Sequence, residues 1–259
     1  MTIKAHAKVN IFLKIVGLRE GYHLISSRFM RVENLYDTLS FIPSKAPGER
    51  FGLEGDFGCP IEKNTIYKAY RLLCEAVPGG KVERFFERHV VRVDKKIPEF
   101  AGLGGGSSDA AAFLRLCNRV CRLDLPVETL SAIGAKIGAD VPFFVHDYPS
   151  ANVGGIGEVV TPFEEETLEI VTHTPPIACD TAAVYREFDR SALDRMAYNA
   201  DLASEMARTD SDTLLARYDA LSLNDLCAPA LTLCPDLKQE ARDGWYFSGS
   251  GSTFFRKGA

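Results

Sequence analysis

No apolar run in this 259-residue chain approaches the ~18 residues needed to cross a bilayer, so no membrane partner is expected. The opening Met1-Thr2-Ile3-Lys4-Ala5-His6 lacks the apolar core of a signal peptide, which makes the expected location cytoplasmic. Basic charge is short as well. A net charge of -5 and a pI near 5.6 argue against a general nucleic-acid binder, while leaving room for a local basic pocket. The seven cysteines form no C-x-x-C pair. Cys117 and Cys121 can share a helix face, but with no His or acidic cluster nearby they read as small apolar residues in a reducing compartment. There is no internal repeat. Hydrophobic residues at 46% and charged residues at 25% give an ordinary globular balance that can fill one large domain or two lobes.

The first segment alternates with period two. Ile3, Ala5, Ala7, Val9, Ile11 and Leu13 share one face of a strand, and Lys4, His6, Lys8, Asn10 and Phe12 the other. A turn at Arg19-Glu20-Gly21 leads to a second strand, residues 35–42 read as a third, and residues 43–60 as loop. Asn64 can cap a helix carrying Ile66, Tyr70, Leu73, Cys74 and Val77. His89–Val93 reads as a strand, a helix follows the glycine run, and another covers roughly 127–137. Val141-Pro142-Phe143-Phe144-Val145 reads as a strand. Beyond it, strands near 158–161 and 168–174, helices from about 181 to 243, and a strand pair at 245–247 and 253–256 are expected. This mixture lacks regular βα alternation, so the expected class is α+β with two lobes, 1–150 and 151–259, divided at Asp147-Tyr148-Pro149-Ser150.

What stands out is Gly102-Leu103-Gly104-Gly105-Gly106-Ser107-Ser108, which opens a helix. A helix N-terminus presents unpaired N–H groups and the positive end of its dipole, and glycines let a ligand approach the backbone closely. Ser107 and Ser108 add hydroxyls suited to phosphate oxygens or a metal ion. Each such interaction is worth only ~0.3–2 kcal/mol, so several must converge to hold a triphosphate. One glycine would suffice for a plain turn. The pattern G-x-x-x-x-G-K-[ST] is absent, and Ser107 stands where G-x-G-x-x-G needs its last glycine. H-R-D is also absent, and the D-F-G at Asp56-Phe57-Gly58 stands without it, which argues against the protein-kinase set.

Three segments together resemble the GHMP small-molecule kinases. They are Ala7-Lys8-Val9-Asn10, the loop from Pro98 to Ser108, and Gly249-Ser250-Gly251-Ser252. Gly21-Tyr22-His23-Leu24 and Gly138-Ala139-Asp140-Val141-Pro142-Phe143-Phe144 narrow the resemblance to the branch whose small-molecule substrate carries a cytidine diphosphate group. Phe100 departs from the family pattern, which has another small residue there. The resemblance implies an N-terminal lobe like ribosomal protein S5 domain 2, a ferredoxin-like C-terminal lobe and a site between them. It also implies transfer of the γ-phosphoryl of ATP, accompanied by Mg²⁺, to a hydroxyl of an erythritol in the non-mevalonate isoprenoid route.

By resemblance, Asp140 is the catalytic base and Lys8 the cation that keeps it ionised. Read plainly, they are a polar residue in a helix-to-strand turn and a lysine on the wet face of a strand. ATP falls to Asn64, Pro98, Ala101, Gly102, Leu103, Gly104, Gly105, Gly106, Ser107 and Ser108, with Asn64 equally explained as a cap. The substrate falls to Asn10, Tyr22, His23, Thr181, Tyr185, Gly249 and Gly251. Tyr22 offers a face on which cytosine can stack, and His23 a hydrogen-bonding edge. Ordinary turn roles for Tyr22, His23 and residues 249–252, and an N-cap role for Thr181, stand beside these.

Overall fold

The computed structural model describes the chain apart from residues 46–47, 49–50, 193–197 and 259. Parts of the expected loop 43–60 and of the helical stretch 181–243 fall on those residues and lie outside the described chain. The chain forms two compact units. One comprises residues 1–7, 35–97 and 104–147, and the other residues 8–34, 98–103 and 148–259. The expected lobes are continuous stretches, whereas the units interleave in sequence. Among the described residues no helix is long and apolar enough to cross a membrane.

Strands β1 (Thr2–Arg19) and β2 (Tyr22–Pro43) contribute to both units. The turn between them uses Glu20 and Gly21 at positive φ, as the sequence suggests. Two strands were expected within 22–42, but β2 is continuous, since no glycine or proline interrupts that stretch. The expected alternation of β1 also fails from Ala7 to Ile15, where both faces are buried. Lys8 is 3% exposed and Asn10 2%, so neither lies on a wet face.

The first unit adds β3 (Gly52–Glu54), α1 (Thr65–Ala76), α2 (Lys81–Phe86), β4 (His89–Asp94), α3 (Gly105–Val120), α4 (Val127–Ala135) and α5 (Val141–His146). Residues Thr38–Pro43 of β2 pair antiparallel with β4, and β4 pairs parallel with β3. Over this sheet Phe41, Phe51, Phe86 and Phe113 pack with ring centroids 5.1–5.9 Å apart. Burying one such side chain is worth roughly 1.5–3 kcal/mol. Helix α3 packs on α1 and α5, and Ala110 to Leu114 are buried on every side of it.

The run 141–145 is helix α5, where a strand was expected. Five apolar residues in a row fit a strand or a buried helix equally well by periodicity. Pro142 decides against the strand, because it needs no N–H in a first helical turn and would remove a ladder bond from a sheet.

The second unit adds β5 (Ser150–Gly154), β6 (Val159–Pro162), β7 (Ile170–His173), α6 (Thr181–Ala192), α7 (Ala200–Arg208), α8 (Ser211–Arg217), α9 (Ala220–Leu223), α10 (Cys227–Leu233), α11 (Leu237–Glu240), β8 (Tyr246–Phe247) and β9 (Phe254–Lys257). Residues Ser27–Met30 of β2 pair with β5, and β5 with β6. A separate sheet runs β7-β9-β8. Leu13, Ile15, Val184, Leu226, Ala230, Phe247 and Phe254 make its core with the helices. Asp225, between α9 and α10, ties these helices to β1 by accepting from Lys14 Nζ and from Ile15 N (2.8 Å). Arg28 of β2 is fully buried over the Phe163 ring and bonds Asn152 Oδ1 (2.7 Å) and Glu165 Oε1 (3.2 Å), which holds β5 and the start of α8 together.

Candidate active site

In the second unit, three sequence motifs are joined by direct hydrogen bonds. Lys8 N donates to Leu103 O at 3.0 Å, which sets the first motif against the glycine loop. Asn10 N donates to Ser248 Oγ (3.3 Å), and that hydroxyl donates to Gly102 O (3.0 Å). Thr253 N donates to Ala101 O at 3.2 Å, closing the circle. Lys8 Nζ donates to Asn10 Oδ1 at 2.6 Å and lies over the Phe29 ring, 4.4 Å from its centre. Asn10 Nδ2 in turn donates to Ser27 Oγ at 3.0 Å. A buried polar group needs such partners, and Asn10 is held at both ends of its amide.

The approach of the loop to residues 248–251 is too close for any side chain. A Cβ at Gly102, where φ is +74°, would lie 2.2 Å from Ser248 O. One at Gly249, where φ is +59°, would lie 3.3 Å from Gly102 Cα. Asn224 fixes this turn from behind, donating to Phe247 O and Gly249 O, each at 2.9 Å. These are structural reasons for the glycines that a plain hairpin would not supply. Pro98 opens the same stretch, and Phe100 within it is 68% exposed at φ +54°.

Thr181 is the first residue of α6, and its hydroxyl lies 2.8 Å from Ser250 Oγ. Its alternative role as the N-cap is taken by Asp180, which accepts from Ala182 N at 2.9 Å. His23 stacks on Tyr185, with ring centres 4.9 Å apart and planes 29° apart, and its Nε2 lies 2.7 Å from Asp189 Oδ1. Tyr22, 65% exposed, stands outside this stack.

In the first unit, Gly104 precedes α3 in the left-handed region (φ +72°) and supplies no side-chain cap. The N–H groups of Gly105, Gly106 and Ser107 lie in the first turn, where the helix itself supplies no acceptor. Thr65 Oγ1 donates to Gly106 O at 2.6 Å, fixing the loop to α1, whose cap is Asn64 (Oδ1 accepting from Ile66 N at 2.9 Å). Ser108 is buried. A Cβ at Gly138 would lie 3.7 Å from Ser107 Oγ, so the turn carrying Asp140 borders the loop. Asp140 precedes α5 and makes no side-chain capping bond to it.

The predicted residues thus fall into two groups. Asn64, Gly104–Ser108 and Asp140 belong to the first unit. Lys8, Asn10, Tyr22, His23, Pro98, Ala101–Leu103, Thr181, Tyr185, Gly249 and Gly251 belong to the second. The sequence did not single out Ser248, Asn224 and Ser27, although the serine beside Gly249 was a usable signal. Nor did it single out the buried Asp37 and Asp109 with the half-buried Lys95 between them, a cluster beside the start of α3 in the first unit.

A glycine loop leading into a helix, with a second glycine turn locked against its opening, is an arrangement suited to holding phosphate. Residues 64–148, which hold Asn64, the loop and Asp140, match the family model described as GHMP kinases N terminal domain. The 4-diphosphocytidyl-2-C-methyl-D-erythritol kinase of a Sulfurovum species is 52% identical over 256 residues, 98% of each chain. That of Sulfurimonas denitrificans is 50% identical, over 98% of this chain and 95% of the relative. A crystal structure of 4-(cytidine 5'-diphospho)-2C-methyl-D-erythritol kinase superposes with a TM-score of 0.68 at 31% identity, covering 98% of this chain and 89% of that one. The Methanococcus jannaschii mevalonate kinase shares the fold, with a TM-score of 0.62 at 12% identity over 100% of this chain and 90% of that one. This chain belongs to the 4-diphosphocytidyl-2-C-methyl-D-erythritol kinase family.

Proposed function

We propose that this protein transfers the γ-phosphoryl group of ATP to the 2-hydroxyl of 4-diphosphocytidyl-2-C-methyl-D-erythritol, a step of non-mevalonate isoprenoid precursor synthesis. Full-length identity of 52% to a kinase of that name supports the substrate. The single geometric observation carrying the reading is the bonded circle of Lys8, Asn10, residues 101–103 and residues 248–253.

In this reading residues 1–150 form the ATP-binding lobe and residues 151–259 the substrate side. The N–H groups of Gly105, Gly106 and Ser107 bind ATP phosphates at the helix N-terminus, and Asn64 lies towards the adenine. Asp140 takes the proton from the acceptor hydroxyl as its oxygen attacks the γ-phosphorus and ADP leaves. The Lys8 ammonium stabilises the negative charge on that oxygen, and its bond to Asn10 aims it. Asn10, Gly249, Gly251 and Thr181 hold the substrate's polar portion. Tyr22, His23 and Tyr185 receive the cytosine, with the imidazole edge reading its polar groups. Mg²⁺ enters as part of the co-substrate MgATP. Among the described residues no group of three His, Cys, Asp or Glu side chains could hold a metal ion. The reaction is assigned to the cytoplasm, where thiols such as Cys117 and Cys227 stay reduced.

The test is ATP-dependent phosphorylation of the cytidyl substrate beside homoserine and mevalonate. Turnover of the first alone is expected, and turnover of either of the others in its place would overturn the assignment.

A further inference from the structure

Asp109 lies four residues into α3 and is 2% exposed. Its Oδ2 accepts from Lys95 Nζ at 2.6 Å, while its Oδ1 is buried without a hydrogen-bond partner among the described residues. Lys95, just beyond β4, also donates to Asp37 Oδ2. Asp37 of β2 is fully buried, and its Oδ1 accepts from the backbone N–H groups of Lys96 and Ile97, the latter at 2.8 Å. The side chains of Lys95 and Ile97 crowd the start of α3. A Cβ at Gly105 would lie 3.0 Å from Ile97 Cγ2 and 3.7 Å from Lys95 Nζ.

Stability alone is a poor reason for this cluster. Two carboxylates share one ammonium, and desolvating such a group commonly costs as much as its Coulomb attraction returns. Replacing such a buried cluster by apolar side chains of similar volume is often neutral or stabilising. What the ions add is direction. Asp37 fixes the chain at residues 96 and 97, just beyond β4, and Asp109 ties the first turns of α3 to the same lysine. The end of β4 and the first turns of α3 are therefore tied through one lysine.

We propose that Asp109 is a positioning residue for ATP: through Lys95 and Asp37 it sets the first turn of α3 against the end of β4, and so aims the N–H groups of Gly105, Gly106 and Ser107 at the nucleotide phosphates. This rests on the reading of that loop as the ATP site. Lys95 and Asp37 are the charged groups that face Asp109 from the elements around it. Burial, and then the Asp37 charge, lifts its carboxyl from 3.8 to about 7 against the pull of Lys95. The tie to Lys95 is therefore strongest above neutral pH.

Steady-state kinetics of Asp109→Ala and Asp109→Asn, with each substrate varied in turn and thermal melts alongside, provides the test. Asp109→Ala is expected to raise KM for ATP at least roughly fivefold, with KM for the cytidyl substrate within about twofold of wild type. Asp109→Asn keeps an acceptor for Lys95, so it should match wild type near about pH 6 and fall behind near about pH 8, where only the wild type is ionised. Equal shifts in both KM values and kcat, or no shift in any, would overturn the proposal by reducing the cluster to packing. Where the alanine variant fails to fold, an asparagine-to-wild-type ratio that is the same at both pH values has the same force. A wild-type chain that turns over no ATP removes the loop reading and this inference together, whereas an active wild type with unchanged variants removes this inference alone.

Discussion

Replacing Gly102 by alanine tests the contact on which the site geometry depends. Two costs follow from the structure. At φ +74° an L-residue pays about 1–2 kcal/mol that glycine does not. The new Cβ would also stand 2.2 Å from Ser248 O and 3.1 Å from its carbonyl carbon, backbone atoms that no rotamer change can move aside. Separating the segments stretches the Ser248 Oγ to Gly102 O bond, now 3.0 Å, at a further ~0.5–1.5 kcal/mol. The sum is about 1.5–3.5 kcal/mol, or a fall of roughly 3–14 °C in Tm for a chain of this length. Gly244→Ala is the internal control. Its φ of +75° matches, but nothing lies within 4 Å of its added Cβ, so only the backbone cost of about 1–2 kcal/mol applies. Thermal unfolding of both variants, with KM for each substrate, separates the two terms. If Gly102→Ala melts no lower than Gly244→Ala, the close approach of the loop to residues 248–251 is refuted.

Four further outcomes are expected. Asp140→Asn should lower kcat by about 10²–10⁴-fold while calorimetry still detects ATP binding, and near-normal kcat would remove Asp140 from the role of base. Tyr185→Ala should raise KM for the cytidyl substrate roughly tenfold or more and leave KM for ATP alone, since stacking on one base is worth ~1–3 kcal/mol. Equal effects on both substrates would count against a cytosine platform. Arg28→Met strands the Glu165 carboxylate in a buried site and should cost about 3–5 kcal/mol by denaturant unfolding, and a loss below about 1 kcal/mol would contradict the burial of that pair. Asp109, raised from 3.8 to about 7 by burial, holds in the fold a proton that the unfolded chain releases. Its contribution to stability is full below the unfolded value and is lost as pH rises through the folded one. Denaturant midpoints should accordingly fall between those pH values, and Asp109→Asn should flatten that slope.

The elements most legible in the sequence were those with local punctuation. Asn64 before an apolar-periodic run marked α1, and the glycine run marked the start of α3. Val141–Val145 was illegible as a helix because an uninterrupted apolar run carries no period, and the Pro142 signal pulls against its β-like composition. Lys8 looked solvated because alternation assumes one wet face, yet β1 is covered on both, by partners as distant in sequence as Ser248. The same limit hid the ion cluster. Asp109 sits in plain view after the serines, but its partner Lys95 is 14 residues away, and Lys95 and Asp37 are 58 apart. Only the fold brings such residues to one point. The motifs could name Lys8, Asn10 and Gly249 but not Ser248 and Asn224, whose hydrogen bonds hold the motifs together.

The bonded circle also has a consequence in time. Asn10 and Ser248, which it joins, are 238 residues apart. At ~5–20 residues per second of synthesis, roughly 12–48 s separate their appearance. Until the later segment arrives, the amide of Asn10 and the carbonyl of Gly102 await the hydroxyl that will bridge them. A nascent chain can build α3 of the first unit before that segment is made, but it cannot complete the circle around Lys8. With Lys8 in the proposed catalytic role, competence is withheld until the β8–β9 segment has been made, and a nonsense mutation shortly before Phe247 should yield a chain unable to act as a kinase.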